Sequence, residues 1–249
     1  MPSVDINNTQ GVNISTGFPG SWNTKHDQTS GATVNTGNQG LTSGTVVAAF
    51  SGFGGGTFII DRAMMDFVLT SIPSGATIDS AILKLYGRAF NASSASDTVA
   101  AADLILIEGT FGDSIDANSI DDFSGFAAGW DGTDSGIIEY SAEIEAGDWS
   151  TSGYNNITIN SDGISAMQTA FNASNRFKVV VMEHTHDYQD DPSGIDASND
   201  RFGATFYHEG SGTNPPILAV TYTEAVVVNK GTISLSSGKS TLSSGKITF

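Results

Sequence analysis

Apolar and polar residues alternate most clearly across residues 61–86, DRAMMDFVLTSIPSGATIDSAILKLY. Ala63, Met65, Phe67 and Leu69 fall on one side of an extended chain, and Arg62, Met64, Asp66 and Val68 fall on the other. A period of two predicts a strand with one buried face. Ile72-Pro73-Ser74-Gly75 then reads as a turn, because Pro presets φ and Gly supplies a positive φ. Beyond it Ala81, Leu83 and Leu85 alternate with Ile82, Lys84 and Tyr86. The pattern predicts a second strand and a hairpin around the turn.

The same reading places weaker strands at residues 11–15, 32–35 and 45–50. Residues 102–108 are apolar on both faces, as in a fully buried strand. Further strands are expected at 137–144, 156–160, 176–184, 201–208 and 217–223. In the 176–184 strand, Phe177, Val179 and Val181 oppose Val180 and Met182. Only residues 161–172 carry a convincing helical pattern. Ile164, Met167 and Phe171 share a face there, with Asp162 as the expected cap. Phe18 and Trp22 are the large anchors of the N-terminal stretch and read as lids on the core. Gly54-Gly55-Gly56 reads as a joint, and residues 109–130 and 185–200 as long acidic loops.

The last segment differs in kind. Gly231, Gly238 and Gly245 recur every seven residues, and Leu235, Leu242 and Phe249 keep the same register. Ser236-Ser237-Gly238-Lys239 and Ser243-Ser244-Gly245-Lys246 repeat a turn. From Ala225 onward the chain holds Lys230, Lys239 and Lys246 and no acid. That is +3, which leaves −20 on residues 1–224 within the net −17. The expected division is a sandwich domain over 1–224 and a repeat arm over 225–249. Leu235, Leu242, Phe249, Lys239 and Lys246 would be the arm's docking residues on a neighbouring subunit or on a larger scaffold. A Ser/Gly tail without fixed structure is the alternative.

The chain has 249 residues, including 29 Gly, and only 15% of it is charged. That composition suits short strands joined by tight turns and disfavours a helical bundle. With a net charge of −17 and no basic stripe, neither nucleic acid nor an anionic membrane is an expected partner. There is no Cys, so disulfides, thiolate catalysis and Cys-based zinc sites are excluded. No apolar run reaches membrane-spanning length. The first residues, MPSVDINNTQ, contain no secretory leader pattern, which leads to the expectation of a virion protein released by lysis, a cytosolic protein, or a mature fragment.

Several of these residues also carry a family resemblance. Arg62, Phe67, the run Ser71-Ile72-Pro73-Ser74-Gly75-Ala76-Thr77-Ile78, and Ala81, Leu83, Leu85 and Tyr86 resemble the signature of DNRLRE-type domains. Pro215-Pro216-Ile217-Leu218-Ala219-Val220-Thr221-Tyr222 resembles that family's last strand. The family consists of β-sandwich modules related to a polysaccharide-binding group. The resemblance implies an all-β fold, a jelly-roll-type β-sandwich with one short helix, here followed by a C-terminal β arm. The matching residues are core and turn residues, so they speak to fold more than to function.

Candidate chemistry is sparse. No G-x-S-x-G, HExxH, P-loop or dinucleotide fingerprint is present, and an enzyme is not expected. Asp187, Asp190, Asp191, Asp196 and Asp200 supply hard oxygen ligands in one stretch, which suits a structural calcium ion, as sandwiches of this resemblance often hold. An exposed acidic loop is the alternative. His184 and His186, at i, i+2, would point the same way on a continuing strand and, with Glu183 or His208, suit a transition metal. Trp130, Trp149, Tyr154 and Tyr188 sit in loop-like contexts and are candidate sugar platforms, or caps on the ends of the core.

Two functional classes follow. One is a structural virion protein, a phage capsid decoration or tail-associated protein. Its partners would be copies of itself, a trimer being favoured, and other virion proteins. The other is an extracellular, non-catalytic module that binds polysaccharide.

Overall fold

The computed structural model describes residues 1–15, 20–27, 33–36, 43–51, 57–88, 99–101, 103–112, 136–193, 201–207 and 213–225. They form an all-β sandwich with few short helices. The strands are β1 Ser3–Asn7, β2 Gln10–Ser15, β3 Thr33–Thr36, β4 Ser43–Ser51, β5 Thr57–Val68, β6 Thr77–Tyr86, β7 Val99–Ala101, β8 Leu104–Glu108, β9 Tyr154–Thr158, β10 Arg176–Glu183, β11 Arg201–Tyr207 and β12 Ile217–Thr223. One sheet has four strands, in the order β1-β12-β6-β9. The other has eight, built on β5. β2 runs along one edge of β5, while β4 and β10 share the opposite edge, at its start and its end. Pairing is antiparallel except for β11 with β7. The repeat arm, Trp130 and the 52–56 glycine run lie outside the described residues.

The core between the sheets follows from the period of two. Ala63, Met65 and Phe67 of β5, with Val179 and Val181 of β10, face Leu83 and Leu85 of β6 and Leu218 and Val220 of β12. Each such side chain contributes roughly 1.5–3 kcal/mol when fully removed from water. Helix α2, Ser161–Ala173, packs on β6 and β10 and adds Met167 and Phe171 to this core.

Three expectations need correction. First, β5 and β6 do not form a hairpin: they belong to different sheets. Leu69 is buried, and its N–H donates to the Asn175 carbonyl at 2.7 Å, so the end of β5 is tied to the start of β10. The chain then crosses between the sheets through a 3₁₀ turn, Leu69–Ser71, and the Pro73–Ala76 turn, where Gly75 has φ +80. The turn was read correctly, but a turn does not say which strands it joins. Second, β5 buries both faces, since Arg62, Met64 and Asp66 are as inaccessible as Met65. Third, residues 137–144 are not a strand. They pair with β8 as isolated bridges, Glu139 with Ile107 and Ile144 with Leu104. Between these the Leu106 N–H donates to the Ser141 hydroxyl, which interrupts the ladder.

The helix cap also moves. The Asn160 side-chain oxygen, not that of Asp162, accepts from the N–H groups of Asp162 and Gly163.

Candidate functional site

The outer face of the large sheet carries the densest polar cluster. β5 places Arg62 there, fully buried, beside Met64. β10 ends at Glu183, and the chain enters a π-helical turn, His184–Tyr188. Glu183 caps that turn. Its carboxylate accepts from the N–H groups of Thr185, His186 and Asp187 at 3.1, 2.7 and 2.9 Å. The turn thereby aims Asp187 back at β5. Arg62 donates from Nε and Nη2 to the two Asp187 carboxylate oxygens at 2.9 and 2.7 Å. Two parallel bonds between buried charges make a rigid, charge-assisted fork.

Helix α1, Trp22–His26, completes the cluster. Its backbone contributes the His26 carbonyl, which accepts from Arg62 Nη2 at 3.3 Å. The His26 ring is fully buried and stacks on Trp22 at 5.3 Å. His26 Nε2 lies 2.7 Å from the Asp187 carbonyl oxygen. His26 Nδ1 faces Asp27 Oδ1 at 2.8 Å and Asp190 Oδ1 at 3.2 Å. The Trp22 indole N–H donates to Asp190 at 2.7 Å.

This geometry revises the expected metal sites. Asp187 is fully buried, and both of its carboxylate oxygens accept from Arg62, which sets it apart from the exposed acids of the loop. Asp191 turns toward Ser193, whose hydroxyl and backbone N–H hold its carboxyl below the ordinary carboxylate range. Asp190 alone joins a potential ligand set, with His26 and Asp27. Asp196 and Asp200 lie outside the described residues. His184 and His186 diverge, because the π turn replaces the extended chain that would have aligned them. His184 meets Glu143 at 3.2 Å and stacks on Tyr188, while His186 bonds Glu183 and lies against Phe202. Glu143 itself is held above the ordinary carboxylate range, chiefly by a hydrogen bond with Asp103, then by burial. His208 lies outside the described residues.

The aromatic candidates separate too. Tyr188 is buried, and its hydroxyl donates to Glu139 at 2.6 Å, so it is no surface platform. Trp149 packs on the inner core, with its ring 6.1 Å from Phe206. Tyr154 remains at the surface, 37% exposed. It pairs across strands with Tyr86, their rings 5.2 Å apart, and the Tyr207 ring lies 5.7 Å from Tyr86. The Arg88 guanidinium sits 5.5 Å over Tyr207. Tyr86 donates to the Ser152 carbonyl and Tyr154 to that of Pro215, which fixes both rings. Burial pushes the Tyr154 hydroxyl up, and Tyr86 adds to the shift.

Sequence reasoning missed Arg62, His26, Asp27, Tyr86 and Tyr207 as site residues. A charged residue on the β5 face opposite the core was the one signal for Arg62. Nothing local linked it to Asp187, 125 residues away. No helix among the described residues is long and apolar enough to cross a membrane. Neither a protein-family model nor a curated protein matches the chain.

Proposed function

We propose that the protein is a non-catalytic structural component of a virus particle, a phage capsid decoration or tail-associated protein. Its body would be a jelly-roll-type sandwich akin to the DNRLRE-type domains that its β5–β6 sequence resembles. The carrying observation is the change of sequence character at Ala225. The strands of both sheets come from residues 3–223, and the sequence beyond them is a seven-residue repeat at +3 against −20 on residues 1–224. Opposite charge favours contact between the arm of one copy and the body of another. The polar cluster supports the same reading. Arg62 and Asp187 bond each other, and Glu183 holds the backbone of the π turn and the His186 ring, which fastens a layer.

The test is the solution mass of the full chain beside a chain ending at Glu224. An oligomer, a trimer favoured, that falls to monomer on truncation supports the assembly role. Monomers in both cases overturn it.

The tyrosine cluster favours a second role, contact with polysaccharide. Tyr86, Tyr154 and Tyr207 offer fixed aromatic area at one end of the sandwich, and sugar rings bind on such surfaces. The acidic body selects a neutral glycan over a polyanion. A glycan array probed with wild type and Tyr154→Ala tests it. Binding that survives the substitution unchanged would remove the tyrosines from the role.

A further inference from the structure

We infer that His26, Asp27 and Asp190 form a binding site for a divalent first-row transition metal ion, zinc being the reference case. The inference is independent of the virion and glycan readings.

The argument begins with the His26 tautomer. Nε2 lies 2.7 Å from the Asp187 carbonyl oxygen. A carbonyl only accepts, so Nε2 carries a proton. Asp187 is not free to turn away, since its side chain is forked onto Arg62 and its own N–H is held by Glu183. Nδ1 is therefore the nitrogen left to act as a ligand. It points at Asp27 Oδ1, 2.8 Å away, and Asp190 Oδ1, 3.2 Å away. In the neutral ring, one nitrogen lone pair and two carboxylate oxygens converge, and all three atoms are electron-rich. Such a convergence needs positive charge at its centre. A metal ion supplies it, or a second ring proton does.

The surroundings favour the metal. A ligating His ordinarily donates its other N–H to a backbone carbonyl or carboxylate, which fixes the ring and raises its basicity. Here that partner is the Asp187 carbonyl. Ligating carboxylates are themselves hydrogen-bonded, and Asp190 accepts from the Trp22 indole at 2.7 Å. The Trp22 ring also stacks on His26, which holds the imidazole plane. The Asp27 and Asp190 side chains are 41% and 40% exposed, so the cluster opens to water on one side. An ion has a route in, and water can complete its coordination.

Distance and ligand type narrow the ion. Tetrahedral ligands about 2.0–2.1 Å from zinc lie about 3.3 Å from one another. The His26–Asp190 separation of 3.2 Å already matches, and the 2.8 Å to Asp27 needs a small outward turn of an exposed side chain. Calcium and magnesium prefer shells made of oxygen, whereas imidazole with carboxylates suits zinc, manganese, iron or cobalt.

Cobalt(II) is the probe, because its visible absorption reports both binding and tetrahedral geometry. The full chain is stripped with EDTA, dialysed and titrated at neutral pH, with zinc as competitor. One cobalt ion per chain, displaced by zinc, is expected. Asp27→Asn and Asp190→Asn should each weaken binding by well over tenfold. Both side chains are partly exposed, and Asn tolerates the left-handed backbone of Asp190, φ +52, so both variants should fold. Trp22→Phe should weaken binding by about tenfold, as for partners that orient a ligand. His184→Gln should leave it unchanged. The inference is overturned if wild type takes up no cobalt, if binding survives both Asn substitutions, or if His184→Gln abolishes it. A nuclear magnetic resonance signal from a proton on His26 Nδ1 that persists under excess zinc would equally overturn it.

Discussion

On its inner face the large sheet presents Met65, Phe67, Leu104, Leu106, Val179 and Val181 to a facing sheet of the same character. On its outer face Met64, Ile105, Ile107, Val180 and Met182 share their layer with Arg62, Asp187 and His26. Both faces are inaccessible to water, yet different forces hold them. The inner layer needs only shape and apolar area. Among the described residues, α1 and the π turn lie over the outer layer, and both are too short to cover a sheet by hydrophobic contact alone. Fixed polar pairs anchor them. The comparison teaches that burial of both faces of a strand does not imply one kind of core.

The largest expected effect breaks the outer layer. Asp187→Ala removes the forked carboxylate from the buried Arg62 guanidinium, which should cost about 3–5 kcal/mol. Replacing both partners, Arg62→Met with Asp187→Leu, should recover most of that loss, because the desolvation cost of both charges disappears together. Urea denaturation midpoints in EDTA would measure this. A cost below about 1 kcal/mol for Asp187→Ala would mean that apolar contacts hold α1 and the turn after all.

Leu83→Ala attacks the inner layer. Leu83 is fully buried, and its loss should cost about 3 kcal/mol, within the range for cavities in well-packed cores. The combination with Asp187→Ala sharpens the comparison. Sites that share no partners add to within about 0.5 kcal/mol. Coupling well beyond that would show that the two faces communicate through β5 and β10 and are not separate layers.

Legibility follows the same division. The inner face was readable, because alternation in β5, β6, β10 and β12 fixes which residues face inward whatever their partners. Residues 217–223 were bounded correctly for that reason. The partner of β5 was not readable. Pro73 and Gly75 make a turn equally well inside a hairpin or between two sheets, and the Leu69–Asn175 bond that decides between them spans the chain. The outer cluster was half readable. The 183–191 stretch stood out as the densest polar run, but its partners Trp22, His26 and Arg62 are 125 to 168 residues away. The π turn was not readable either. It depends on Glu183 capping three successive N–H groups, and a strand pattern running into His184 gives no warning of that. So the stretch was singled out, while the partners that set the surroundings of Asp187 and Asp190 were not.

A smaller effect tests the helix that closes the inner layer. Asn160→Ala removes the acceptor for two N–H groups and a bond from Nδ2 to the Glu139 carbonyl, and should cost about 1 kcal/mol. Asp162→Ala loses only a charge near the positive end of the helix, a few tenths of a kcal/mol. Thermal melts of the two variants would separate the cap seen in the structure from the one that the sequence suggested. Equal losses would return the cap to Asp162.

The smallest effect concerns the acid that follows the inner-face register of β8. Glu108 comes after Leu104 and Leu106 in that alternation, and burial raises its carboxyl above the ordinary carboxylate range. Its charge in turn helps burial to raise the Tyr140 hydroxyl. The outer face resolves a buried acid differently, by giving Asp187 an arginine. The sign follows from proton uptake. A folded carboxyl with a raised pKa binds more protons than the unfolded one between the two values. Stability contributed by its neutral form is then present at acid pH and lost as pH rises through the folded value. Glu108→Gln should flatten the melting temperature across that window and leave a slightly more stable protein at neutral pH. Glu108 is only partly buried, so solvent screens it and the change should be smaller than any above. A melting-temperature series against pH for both proteins measures it. If wild type instead gained stability across the window while the variant did not, Glu108 would be held by an attractive partner. The inner face would then be managing its charge as the outer face does, and the contrast between the two would fail at that strand.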